Sequence, residues 1–348
     1  MKKRIITIDI LRAFSIFCMI QVHIFYYWTN MNYDNANLVI LYFGQLAAPI
    51  FLIVSGCSFY LYISKKVNEN IARLEIFKEI SKRAVFIFSI SLVFQILFGF
   101  IMELKISFII YWSIFQVIAF SMIIYFFIPF LKRELRIFTL FLIFFLLYLI
   151  YFLIQFYNIE YLAILVSGGD YTFLPWASLF IFGILIGDLI INMPTYYFKI
   201  CFIIFFPIGI IILIIWWLWF KDLRIDWWIV SFISAFSTFF IVFPLLYYFA
   251  DIKEYQSKLL TRGTQWGRFS FSIYYLHFGV IAIGILIFPF IIPDLFSRGF
   301  LLYQFIIIVI MFYIGIELFL RVWKKLNYIF GIEWFLNFIS KKELFSND

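Results

Sequence analysis

The chain has 348 residues, of which 66% are hydrophobic and only 13% charged. Soluble domains carry about 25% charged residues, so this composition excludes a soluble globular protein. The net charge of +8 would suit a nucleic-acid binder, but the basic residues sit in short segments between apolar runs, a pattern of membrane topology, and no nucleic-acid partner is expected.

A helix needs about 20 largely apolar residues to cross a bilayer, and such spans are predicted at roughly 8–28, 38–63, 84–102, 107–131, 137–157, 173–192, 199–220, 227–249, 268–291 and 299–320. The first follows Lys2-Lys3-Arg4 as a signal peptide would. It continues to Trp28 through Asp9, Arg12 and His23 without a small-residue cleavage site, so it reads as a retained span. The second contains Pro49 and is expected to kink or tilt. Of the 27 basic residues, 22 fall on the side of the N-terminus, within 2–4, 65–83, 132–136, 199, 253–268 and 321–342. The opposite side holds Lys105, Lys221, Arg224 and Arg298, and collects Asp34, Glu103, Glu160, Asp170, Asp222, Asp226 and Asp294. Lys/Arg bias sets orientation, which places both ends in the cytosol. The predicted fold is therefore all-α: a polytopic integral membrane protein of about ten transmembrane helices, N-in and C-in, in the cell membrane. No linker divides it, so residues 1–320 read as one membrane domain. Residues 321–348, where aromatic and basic residues alternate, read as an amphipathic tail on the cytosolic surface. Cys18, Cys57 and Cys201 lie in apolar runs without metal-ligand spacing and read as small core residues; no metal site is expected.

Charge inside a bilayer is costly, about 2.5–3.5 kcal/mol or more at a helix centre, so ionisable residues in spans are candidates for function. The first span holds three. Asp9 and Arg12 are three residues apart and can pair on one face. His23 follows Arg12 by eleven residues, close to three helical turns, on the same stripe and roughly 16 Å further along. The only other histidine, His277, lies roughly 14 Å into the ninth span on a face shared with Ser270 and Tyr274, so the two histidines fall at similar depth. A structural hydrogen-bond cluster and a catalytic site both produce this pattern. Asp188 and Glu317, near the cytosolic ends of the sixth and tenth spans, read as solvated at the interface. Gln116, deeper in the fourth, reads as interhelical glue or a pocket donor. Asp170 reads as a cap before Pro175-Trp176 at the outer mouth of the sixth.

At these residues a family resemblance emerges. Arg4-Ile-Ile-Thr-Ile-Asp9-Ile-Leu-Arg12 with His23 resembles the first helix of transmembrane acyltransferases, and within them the group resembling the catalytic domain of heparan-alpha-glucosaminide N-acetyltransferase. Ala48-Pro49-Ile-Phe51 through Ser55-Gly56, Phe115-Gln116-Val-Ile-Ala119, Tyr171-Thr-Phe-Leu-Pro175-Trp176 through Gly183 and Gly187, and Gly267-Arg268-Phe-Ser270 to Tyr275-Leu-His277 are similar to segments of that group in the same order. The resemblance implies transfer of an acyl group, acetyl by the family's habit, from cytosolic acyl-CoA to a hydroxyl or amine acceptor, a glycan, at or beyond the outer side of the membrane. Acetyl-CoA would be a donor substrate, with no permanently bound cofactor. The loop Thr29 to Asn37 has no histidine, so the catalytic histidine it implies is His23, acting with Asp9 and Arg12 as base or acyl carrier. Lys82, Arg83 and Arg268 would meet the CoA phosphates, with His277, Gln116 and Trp176 lining the substrate site. The expected partners are the lipid bilayer, acyl-CoA and the acceptor, with homo-oligomerisation left open. The rival is a transporter or flippase for a small solute or lipid-linked sugar. An inverted repeat would favour that reading, and the two halves show no internal similarity.

The distribution of basic residues makes topology testable. An impermeant thiol reagent applied from outside should label cysteines introduced beside Asp222 and Asp294 and spare those beside Lys66 and Lys258. Outside labelling at Lys66 would overturn the orientation.

Overall fold

A computed structural model describes residues 4–28, 35–101, 112–157, 171–192, 195–215, 227–292 and 302–339. The charged residues named above at 2, 3, 34, 103, 105, 160, 170, 221, 222, 224, 226, 294, 298, 341 and 342 lie outside the described residues, as does the side chain of Cys201.

Among the described residues every regular element is helical. In chain order the helices are α1 (Ile6–Trp28), α2 (Asn35–Asn68), α3 (Arg73–Ile101), α4 (Ile114–Ile124), α5 (Arg133–Tyr157), α6 (Phe173–Asn192), α7 (Thr195–Ile215), α8 (Trp227–Leu246), α9 (Lys258–Arg268), α10 (Ser270–Ile291), α11 (Leu302–Lys325) and α12 (Ile332–Ile339). Eight are long and apolar enough to cross a membrane by length and composition; the stretches Ile114–Phe130 and Phe202–Ile215 are apolar and shorter. The chain is an all-α polytopic membrane protein.

Three boundaries differ from those expected. Of the fourth expected span, residues 107–111 lie outside the described residues, and the helix that follows starts at Ile114, where Ser113 and Gln116 form a capping box: the Ser113 hydroxyl accepts from the Gln116 amide (3.3 Å) and the Gln116 side-chain oxygen accepts from the Ser113 amide (3.0 Å). Helix α3 starts at Arg73, well before its apolar stretch, and its polar first turns carry Glu79, which pairs with Lys66 (2.9 Å) and Arg83 (3.7 Å). Residues 258–268 form a separate helix, α9, ended at Phe269 before α10 begins.

The chain divides into two compact units, one of residues 1–50, 201–338 and 343–348, the other of 51–200 and 339–342. The division inside α2 falls just after Pro49.

In the second unit, helix packing is set by small residues. A Cβ on Gly56 would lie 1.9 Å from the Phe180 carbonyl oxygen, and one on Gly183 would lie 2.0 Å from that of Ile53. Helices α2 and α6 therefore touch backbone to backbone at a crossing only glycine permits. Burying apolar surface gives little drive between helices already in hydrocarbon, so close van der Waals approach carries the association.

The same unit contradicts the interfacial reading of Asp188. Its side chain is 0% exposed. Oδ1 accepts from the Tyr60 hydroxyl (2.7 Å), from Asn192 Nδ2 (3.0 Å) and from the Arg136 guanidinium, while Oδ2 pairs with Arg133 Nε (3.4 Å). Arg136 also donates to the carbonyls of Pro129 (3.1 Å) and Leu131 (3.0 Å), tying the turn before α5 to α6. A buried pair is tolerated when most of the remaining lone pairs and protons are also matched; here the Asp188 oxygens and both terminal-nitrogen contacts of Arg136 are matched, and Arg136 Nε is left without a partner. Asp188→Ala should thus cost about 3–5 kcal/mol by leaving Arg136 buried without its counter-charge. Pairing it with Arg136→Met should restore most of the loss. Melting temperatures in detergent read both; an Asp188→Ala protein as stable as the parent would refute the buried pair.

Candidate functional site

The first unit assembles the site from α1, α9, α10 and the tail. The backbone of α9 reaches α1 at Gly267, where a Cβ would lie 1.8 Å from the Asp9 carbonyl oxygen. Gly263 sits one turn earlier on the same face, against Ile10. This glycine spacing brings two helices into van der Waals contact. The chain then breaks at Phe269 and restarts as α10, so the helix bearing His277 leaves directly from the contact with Asp9.

Asp9 is buried and accepts twice, from Arg12 (3.3 Å) and from Arg4 (2.6 Å). The Arg12 contact is the i,i+3 pair that spacing allows; Arg4 was not foreseen, since it lies before the helix. Further along the stripe, His23 Nδ1 lies 2.9 Å from His277 Nε2. The two rings are within 7° of coplanar and their centroids are 5.2 Å apart. His277 is 0% exposed, and its Nδ1 lies 3.3 Å from the Ile273 carbonyl oxygen one turn back in α10. Phe278 closes over both rings at 4.3 and 4.5 Å, with Tyr274 edge-on to His277 at 5.4 Å and Tyr27 at 6.3 Å from His23. Beyond them, Trp28 Nε1 donates to the Ile281 carbonyl (3.3 Å) and joins α1 to α10 again. Ser270, Tyr274 and His277 are all buried, on the shared face.

Two further carboxylates hold the starts of the histidine-bearing helices. The first four amides of a helix have no partner within it. In α1 the amides of Ile6 (2.7 Å) and Thr7 (2.9 Å) and the Thr7 hydroxyl (2.5 Å) donate to Asp251, carried on a π-helical turn, Tyr247–Ile252, that continues α8. In α10 the amides of Phe271 (2.7 Å) and Ser272 (3.2 Å) and the Ser272 hydroxyl donate to Glu333 of α12. Burial raises the Glu333 pKa above the ordinary carboxylate range, while the Ser272 hydroxyl and the amide donors oppose that rise. The tail is held to the same joint by Tyr328, stacked 4.0 Å over Phe269 and accepting from Gln265 (2.9 Å). Glu317 joins it from α11: one-fifth exposed, it accepts from Trp266 Nε1 (3.1 Å) and pairs with Arg262 and Arg321. It is thus a junction, where the sequence suggested solvation alone.

The structure pairs Asp9 with Arg12 near the start of α1 and His23 with His277 roughly 16 Å further along it, with Arg268 exposed at the end of α9. Lys82, Arg83, Gln116 and Trp176 belong to the other unit. Arg83 pairs with Glu79 and lies 4.5 Å over the Tyr62 ring, beside an exposed Lys82. The Gln116 side-chain amide donates to Gln95 Oε1 (2.7 Å) and its oxygen caps α4, which makes it glue between α3 and α4. Trp176 is 0% exposed, edge-on to Tyr171 at 5.0 Å.

Residues 4–201, more than half of the chain, match the family described as heparan-alpha-glucosaminide N-acetyltransferase, catalytic. The chain belongs to this family. That family implies a membrane-bound enzyme of the acetyltransferase type, with acetyl-CoA as the donor its members use in general. No individually curated protein matches the chain. The matched segment includes Asp9, Arg12 and His23 and ends before Arg268 and His277, so the partner of His23 lies beyond it.

The carboxylate caps are testable without an assay. Asp251→Ala and Glu333→Ala should each cost about 0.5–2 kcal/mol, as lost helix caps do. Hydrogen exchange should quicken at residues 6–9 in the first variant and at 271–274 in the second. Unchanged exchange at both helix starts would refute the capping role.

Proposed function

We propose that the protein moves an acetyl group from cytosolic acetyl-CoA to a hydroxyl or amine acceptor, a glycan, at or beyond the outer side of the membrane. What supports this reading is the His23–His277 contact of 2.9 Å at the far end of the stripe that begins with Asp9 and Arg12, in a chain of an acetyltransferase family. A positioned histidine with a second group behind it is the arrangement general base catalysis requires.

In this reading the acceptor oxygen or nitrogen forms a bond to the acyl carbon while the carbon–sulfur bond of the thioester breaks. The acceptor proton passes to His23 and from there to the departing thiolate, so donor and acceptor supply every atom and electron. Arg12 and Arg268 meet the phosphates from the cytosolic side; Arg12 does so with part of its charge engaged by Asp9. Asp9 holds Arg4 and Arg12 in place rather than touching substrate.

The test has two arms. His23→Ala should abolish transfer from radiolabelled acetyl-CoA in vesicles while the protein still elutes as an assembled species in detergent. CoA should raise the melting temperature of the purified protein, since binding at a hundredfold excess over Kd stabilises by about 2.7 kcal/mol. Arg268→Glu and added salt should weaken that protection, and His23→Ala should leave it intact. A similarly charged nucleotide and dephospho-CoA serve as controls. Full activity in assembled His23→Ala refutes the catalytic role, and an equal shift with any polyanion moves the transporter reading ahead.

A further inference from the structure

We infer that His277 is a positioning residue which fixes His23 in the tautomer protonated on Nδ1, leaving Nε2 as its basic nitrogen. One group in the chain of contacts has a fixed role, the backbone carbonyl of Ile273. A carbonyl oxygen can only accept, so the Ile273 oxygen, 3.3 Å from His277 Nδ1, requires a proton on that nitrogen. A cationic imidazole in a span is costly, so the His277 ring is neutral and its Nε2 is bare. That bare nitrogen faces His23 Nδ1 at 2.9 Å and must therefore receive a hydrogen from it.

The geometry suits such a bond. Rings within 7° of coplanar, with centroids 5.2 Å apart across an N···N distance of 2.9 Å, place both nitrogens near the line of centroids, so the donor N–H meets the acceptor lone pair in the ring plane. Free histidine in water favours a proton on Nε2. Here the opposite tautomer is held by a residue that water does not reach, since His277 is 0% exposed under Phe278 and Tyr274.

This inference rests on the acyl-transfer reading for its purpose, not for its chemistry. When the acceptor proton arrives on Nε2, His23 becomes an imidazolium whose Nδ1–H bond to His277 is strengthened by charge. The backbone carbonyl behind His277 completes the order of base, orienting group and acceptor that serine hydrolases build with a carboxylate. Using a neutral ring in place of the carboxylate avoids another charge in the span.

The chain contains only two histidines, so labelling with nitrogen-15 histidine gives four ring signals. Solid-state NMR of the protein in lipid should show both rings neutral with protonated Nδ1 and bare Nε2, and a coupling across the hydrogen bond from His23 Nδ1 to His277 Nε2. In His277→Gln, whose side-chain oxygen can still accept, His23 should keep its proton on Nδ1 and transfer should fall by less than about tenfold. In His277→Leu the proton should move to Nε2 and turnover should fall by a factor on the scale of a general base, about 10²–10⁴. A wild-type His23 protonated on Nε2, or one unchanged in His277→Leu, overturns the inference whatever the activity. The expected spectra with a fully active His23→Ala would instead leave the tautomer standing and remove the catalytic reading.

Discussion

Hydrocarbon offers a charged group no water, so a charge placed in a span is costly unless it finds partners within the protein. This constraint accounts for the arrangement of the charged and polar residues more directly than any preference of individual helices. Asp9 collects two guanidinium groups, Asp188 two more together with a phenol and an amide, and the starts of α1 and α10 each collect a carboxylate from a distant part of the chain. In every case the oxygens are shared among several donors. A single counter-charge would offset the desolvation cost of a buried ion incompletely.

The apolar contacts follow a complementary rule. The many exposed Phe, Ile and Leu side chains on α5, α7 and α11 are normal for surfaces that face lipid and carry no packing information. Specific packing is concentrated where side chains vanish: Gly56 and Gly183 between α2 and α6, and Gly267 between α9 and α1. Glycine at these points lets backbones touch, and the resulting crossings have little freedom to slide.

How far the sequence was legible depends on the range of the interaction. Helix positions, the Asp9–Arg12 pair and the matching depth of His23 and His277 are local or periodic properties, and reading 3.6 residues per turn along one span was enough to find them. The caps from Asp251 and Glu333 join residues some 245 and 62 positions apart, so no window around either helix start contains them. Asp188 was misread for the same reason: its partners Arg136 and Tyr60 lie on other helices, and a charge near a span's end looks solvated until they are placed. The glycine pairs at 263 and 267 and at 183 and 187 did carry a signal, the small-residue repeat of membrane helix contacts, and it marks both crossings.

That repeat also explains why the histidine pair can be held without a rigid loop near it. His23 lies fourteen residues beyond Asp9, about 21 Å along α1, and His277 lies seven beyond Ser270, about 10 Å along α10, which starts three residues after Gly267. Over such lengths a helix behaves as a stiff arm, and the position of its tip is decided at its base. A slip of one residue in either helix would shift its histidine by about 1.5 Å and turn it by about 100°, which no hydrogen bond survives. The Asp251 and Glu333 caps fix where each arm begins, and the Gly267–Asp9 contact fixes where α9, which leads into α10, meets α1. Trp28 on the Ile281 carbonyl then closes the far end. The 2.9 Å contact between the histidines is thus over-determined from both sides, and Nε2 of His23 takes no part in it.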